Sequence, residues 1–82
     1  MGAAPDGRWV IAEAKAARRN IGRSTLVSWV AQLMDGARKF PGARLILAIS
    51  GPGLVTSARE FAANTPVEIY LERRPGDFER VT

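Results

Sequence analysis

The sequence predicts a small α/β domain with a mostly parallel sheet, ordered β-α-β-α-β after an N-terminal turn. Three observations lead there. Arg44 to Ser50 is a continuous apolar run, the mark of a strand covered on both faces. Val67 to Glu72 alternates strictly between apolar and polar residues, as a strand with one buried face does. Between and before these runs, apolar residues recur at helical spacings, and strands separated by helices join most economically in parallel. The 82 residues suffice for one domain, which at this size buries only roughly 60 to 65% of its unfolded surface.

The chain opens with Ala4-Pro5-Asp6-Gly7-Arg8. Proline pre-sets φ, aspartate bonds its own backbone and glycine accepts positive φ, so a tight turn is expected. Trp9 to Ala14 follows as a strand, although Ala-Glu-Ala-Lys-Ala-Ala-Arg-Arg has high intrinsic helix propensity. The β-rich start Trp9-Val10-Ile11 and the break at Asn20-Ile21-Gly22 decide for the strand. A strand also gives Glu13 and Lys15 a shared face, because side chains alternate with a period of two. On a helix the same pair would diverge by about 200°.

Arg18, Arg19 and Arg23 flank a polar loop, Asn20 to Ser24, which is either a solvated basic loop or a phosphate contact. Ser24 or Thr25 is placed to cap a helix whose apolar positions are Leu26, Val27, Val30, Leu33, Met34 and Ala37, with Gln32 on its flank. That helix should end near Arg38-Lys39, ahead of Pro41-Gly42. After the apolar strand, Gly51-Pro52-Gly53 reads as a tight turn rather than an anion cradle, since no Gly-Lys-Ser/Thr follows. Thr56 or Ser57 should cap the next helix, which runs through Phe61 to Asn64. Val67 to Glu72 is expected at the sheet edge, and Asp77 to Thr82 as a turn of helix or a tail.

In a parallel sheet of sequential order, both helices fall on the same face. Leu45, Leu47 and Ile49 point one way, Ile46 and Ala48 the other, so the second face is apolar and uncovered. A homodimer, or a preceding segment of a longer domain, is the expected cover. Composition narrows the chemistry. With no cysteine and no histidine, disulfides, zinc-thiolate sites and imidazole bases are excluded. A metal would have to be held by oxygen, which favours Mg²⁺, with Mn²⁺ as the substitute. The net charge of +4 from 12 basic and 8 acidic residues fits a polyanionic partner. No run approaches bilayer length and no secretory signal is evident, so no membrane association is expected and a cytoplasmic setting is.

Taken together, strand-Glu-Ala-Lys at Ile11 to Lys15, a basic Gly-Arg loop, a helix, an apolar strand, the passage Ile-Ser-Gly-Pro-Gly-Leu-Val-Thr-Ser-Ala-Arg and a closing Val-Glu-Ile-Tyr-Leu strand resemble the catalytic domain of Mrr-like restriction endonucleases. These belong to the PD-(D/E)xK nuclease superfamily. The resemblance covers most of the chain and implies a partial restriction-endonuclease-like fold and divalent-metal-dependent hydrolysis of DNA. By position it makes Glu13 a metal ligand and Ala14 a carbonyl donor. Lys15 would orient or activate the attacking water, with Gln32 assisting from the helix. The basic residues Arg18, Arg19 and Arg23 would meet DNA. The chain departs from the family at the aspartate: Asp6 at a hairpin tip would lie roughly 20 Å from Glu13 along the strand. In a two-residue loop, paired positions sum to 13 and Glu13 faces position 0; in a three-residue loop it faces position −1. The family's first helix and first two strands are also without counterparts, so the chain reads as the C-terminal part of such a core. The alternative is a non-catalytic basic α/β module that binds nucleic acid or a partner chain, in which Glu13 and Lys15 are only an ion pair.

Overall fold

A computed structural model describes residues 2–3 and 8–81. Its elements are β1 (Gly2–Ala3), β2 (Trp9–Ala16), α1 (Arg23–Gly36), β3 (Arg44–Ser50), α2 (Thr56–Ala63), β4 (Glu68–Arg74) and β5 (Asp77–Arg80). The sheet order follows the chain, β1-β2-β3-β4-β5. The central three strands are parallel, and the short outer strands run antiparallel to their neighbours. The α/β class and mostly parallel sheet are as expected. The order is not strictly β-α-β-α-β, because a short strand is added at each end. The Pro5-Asp6-Gly7 turn, and Asp6 with it, lies outside the described residues.

In-register pairing lays the core out in rows. Glu13, Leu47 and Ile69 share one row across the sheet, and Lys15, Ile49 and Leu71 share the next. Leu47, Ile49, Ile69 and Leu71 are fully buried, and they pack against Leu26, Val30 and Leu33 of α1 and Ala58 and Ala62 of α2. Both helices therefore cover one face. The other face carries Ala12, Ala14, Ile46, Ala48 and Tyr70, none of them fully buried, since no described element lies over it.

Several boundaries differ from the sequence expectation. The strand β2 runs two residues beyond Ala14, to Ala16. The run Val67 to Glu72 is not an edge: β4 lies between β3 and β5. Its alternation reflects a sheet covered on one face, not a lateral edge. The segment from Asp77 forms a strand because Pro75-Gly76 closes a hairpin, with Gly76 at φ 79° and its N–H donated to the Glu72 carboxylate at 2.8 Å. Each helix begins earlier than its proposed caps allow, α1 by at least two residues and α2 by at least one. Gly22 and Val55 are the N-cap residues, and neither Ser24, Thr25, Thr56 nor Ser57 caps through its side chain. The helix α1 ends at Gly36, short of Arg38-Lys39. Val27 and Met34 lie on its exposed side, 37% and 43% accessible. They stand roughly 80 to 100° from Leu26 at 100° per residue, too far round to reach the sheet.

The uncovered face is fastened at one end by charge. The Arg44 Nη2 donates to Glu68 Oε1 at 2.8 Å, the Tyr70 hydroxyl donates to the same oxygen at 3.1 Å, and Arg80 lies 3.7 Å from it. This cluster ties β3, β4 and β5 together. The hydrogen bond from Arg44, aided by Tyr70 and opposed by burial, holds the Glu68 carboxyl at about 2 against an ordinary 4.5.

Two outcomes follow. Leu47→Ala leaves a cavity at the centre of the core and should cost about 2–5 kcal/mol, a large share of a small domain's stability, read as a lower urea midpoint. For Glu68, the folded value lies below the unfolded one, so its contribution is complete above about 4.5 and is lost as pH falls towards about 2. Glu68→Gln should accordingly flatten the pH dependence of unfolding free energy across that window.

Candidate functional site

The alternation of β2 puts Glu13 and Lys15 on the helix-covered face, at the rim where the core rows run out. Their charged groups meet at 3.2 Å, with side chains 37% and 27% accessible respectively. The Lys15 ammonium also stands 6.0 Å from the centre of the Trp29 ring on α1, within reach of a cation–π attraction. The shared face expected of the pair is thus observed. Half-exposed ion pairs of this kind contribute about 0–1 kcal/mol, so the pair adds little to stability.

The backbone of the same strand has a second property. The Ala17 N–H donates to the Ser50 carbonyl of β3 at 2.8 Å. Along a strand the amide and carbonyl groups of successive residues alternate in direction, so odd-numbered residues of β2 bond β3. Ala12, Ala14 and Ala16 direct theirs to the opposite side. There β1 pairs only Trp9 and Val10. Among the described residues, the Ala14 carbonyl therefore lies at an open sheet edge. The β1 register sums to 12, and Glu13 lies three residues beyond Val10, the last position of β2 that β1 pairs. Gln32 is exposed on the same flank of α1 as Trp29, three residues further on. Among the described residues it has no hydrogen bond to Glu13 or Lys15.

Beyond β2 the chain bends at Arg18 and Arg19, both exposed. The loop is zipped to the one after β3: the Ile21 N–H donates to the Gly53 carbonyl at 2.9 Å and the Val55 N–H to the Ile21 carbonyl at 3.0 Å. A β-carbon on Gly51 would stand 3.0 Å from the Ala17 carbonyl oxygen. That contact, rather than an anion, accounts for the glycine. At the C-terminal ends of the three parallel strands opens a cleft of about 580 Å³, lined by Ala16, Arg18, Ser50, Pro52, Glu72 and Arg73 among others. A smaller one, about 320 Å³, runs from Arg18 and Arg19 to Thr25 and Trp29. Open α/β sheets place ligands beyond the carboxyl ends of strands where the strand order reverses, and this sheet, ordered β1-β2-β3-β4-β5, has no such reversal among the described residues. The sequence carries no local signal for Glu72 and Arg73 here, because the cleft is lined by strand ends that are far apart in the chain. Arg23 is differently occupied: it donates to the Ser57 carbonyl at 3.2 Å and stacks 5.6 Å from the Phe61 ring centre, joining α1 to α2.

For a divalent ion the present donors are insufficient. Glu13 and the Ala14 carbonyl supply two kinds of oxygen, but Lys15 already balances the single negative charge. No group of three or more acidic residues converges among the described residues. A site holding Mg²⁺ through protein oxygens commonly uses one or two carboxylates free to face the ion, so a further carboxylate would have to come from outside the described residues. Comparisons with protein-family models, with curated proteins and with solved structures find no match for the chain.

The Gly51 contact makes a prediction of opposite signs. Gly51→Ala crowds the Ala17 carbonyl and should destabilise by on the order of 1–3 kcal/mol. Gly36→Ala meets nothing within 4 Å and should raise stability by roughly 0.4–1 kcal/mol by reducing the freedom of the unfolded chain. Urea titration of the two variants separates them.

Proposed function

We propose that the chain carries part of a phosphodiesterase site acting on DNA, of the Mrr-like restriction endonuclease kind. The observation that supports this reading is the Glu13–Lys15 pair: an acid and a cation side by side on one strand, beside a basic loop and a cleft at the strand ends. Phosphodiester hydrolysis needs a positioned water and positive charge at the pentacoordinate phosphate. The Lys15 ammonium supplies charge and a donor, and the Glu13 carboxylate accepts a hydrogen bond from water. Arg18 and Arg19 offer two exposed cations for the flanking phosphates. Arg23 serves the helix packing first and the phosphates second. The restriction-endonuclease-like architecture, Mg²⁺ or Mn²⁺ as the metal, and a role for Gln32 all belong to this proposal. So does the further carboxylate that a metal would require.

A second reading draws on the same 3.2 Å contact. Two charges that neutralise each other leave a basic α/β module that binds nucleic acid without cleaving it. One experiment separates the two. Supercoiled plasmid is incubated with the protein and Mg²⁺, and binding is measured on the same DNA at low salt. The nuclease reading expects nicking that drops about 10²-fold or more in Glu13→Ala and Lys15→Ala. Nicking that survives both substitutions overturns the site. Binding without nicking supports the second reading, and Arg18→Ala or Arg19→Ala should then lower the salt slope by about 0.9 per lost phosphate contact. Absence of both nicking and binding overturns both.

A further inference from the structure

Among the described residues, the open edge of β2 has a pattern of its own, which puts the Ala14 carbonyl, Glu13 and Lys15 of the proposed site to a different use. Five residues, Ala12 to Ala16, lie between the positions paired by β1 and the bend at Arg18 and Arg19. The outward amides and carbonyls belong to three alanines, whose side chains are exposed and small enough not to obstruct an approaching strand. An unpaired row of this kind is a template for another strand.

We infer that this edge pairs antiparallel with the same edge of a second copy of the chain, making a twofold dimer with one continuous sheet. The charges favour that occupant. With Ala14 opposite Ala14 of the second copy, Ala12 falls opposite Ala16, and each alanine pair exchanges both of its backbone hydrogen bonds. Glu13 then lies opposite Lys15 of the second copy, and Lys15 opposite Glu13. These are the closer, non-hydrogen-bonded positions, where opposite charges attract most.

The same two residues fix the register. Because only even-numbered residues present backbone groups outward, the pairing can slide only in steps of two. One step in one direction sets Glu13 against Glu13, and one step in the other sets Lys15 against Lys15. Both oppose like charges. In this register the second copy's strand has ended, and its chain bends at Arg18, by the position opposite Val10, the last residue that β1 pairs. Edge pairing is thus sequence-encoded in a short palindrome of charge, Ala-Glu-Ala-Lys-Ala.

Sedimentation equilibrium on the full chain, without metal or DNA, tests this. The unaltered protein is expected to be a dimer in reversible exchange with monomer. Glu13→Lys and Lys15→Glu each place like charges across the edge twice, and each should weaken the dimer about tenfold or more. Mixed in equal amounts, the two variants become complementary and should form a heterodimer as tight as the original homodimer. Amide exchange supplies a reading on the unaltered protein: Ala12, Ala14 and Ala16 should become more protected as concentration rises. A protein that stays monomeric at its solubility limit, variants that associate as well as the parent, or a mixture no tighter than its components would each overturn the inference. Nicking and DNA binding take no part in these measurements, so either idea can fail without the other.

Discussion

The structure depends on the in-register parallel pairing of β2, β3 and β4. It aligns Leu47 with Ile69 and Ile49 with Leu71, so one face of the sheet becomes a block of fully buried side chains. Sequential strand order with a helix in each crossover delivers both helices to that block. Everything else is a consequence of this one-sidedness. The core is a single layer of contacts between sheet and helices, and the reverse face is left with small apolar residues and one charged cluster.

The rim of the covered face is where physical demands conflict. Rows that are apolar on β3 and β4 end on β2 in Glu13 and Lys15. A charge at the centre of the sheet would be prohibitive, but at the rim each side chain keeps about a third of its surface in water. The Trp29 ring shields Lys15 without sealing it. This half-solvated position leaves both groups reachable from solvent.

On the reverse face, the Arg44–Glu68–Arg80 cluster takes over a task that apolar packing performs on the other side. Its members come from three strands, and the Glu68 carboxylate accepts from Arg44 and Tyr70. The cluster covers one end of the exposed sheet with long side chains whose stems lie along it. Ala12, Ala14 and Ala48 offer little side-chain area beside it, whereas Ile46 is half-buried and Phe78 is 50% accessible on the same face. Among the described residues, the sheet is left open in two directions: along its second face and along the β2 edge.

Much of this was written in local pattern. The continuous run at Leu45 to Ile49, the helical spacing of Leu26, Val30, Leu33 and Ala37, and the period-two placement of Glu13 and Lys15 follow from short-range geometry, and a reader of the chain can find them. The helix starts were placed too late, by at least two residues in α1 and one in α2, because polar residues near an N-terminus resemble caps whether or not they bond. Val27 and Met34 looked like core because periodicity gives a stripe, and only the position of the sheet decides how wide a stripe it buries. The position of β4 inside the sheet was hidden for a similar reason: alternation reports one wet face, and it cannot tell an uncovered face from an edge. Arg23 on Phe61, Gly51 against the Ala17 carbonyl, and Arg73 at the mouth of the cleft join residues far apart in the chain. Sequence determined the elements and the charge pair, because both depend on neighbours within a few residues. Tertiary structure alone decided which strand is interior, which cations are occupied and which backbone groups remain open, because those depend on what lies alongside.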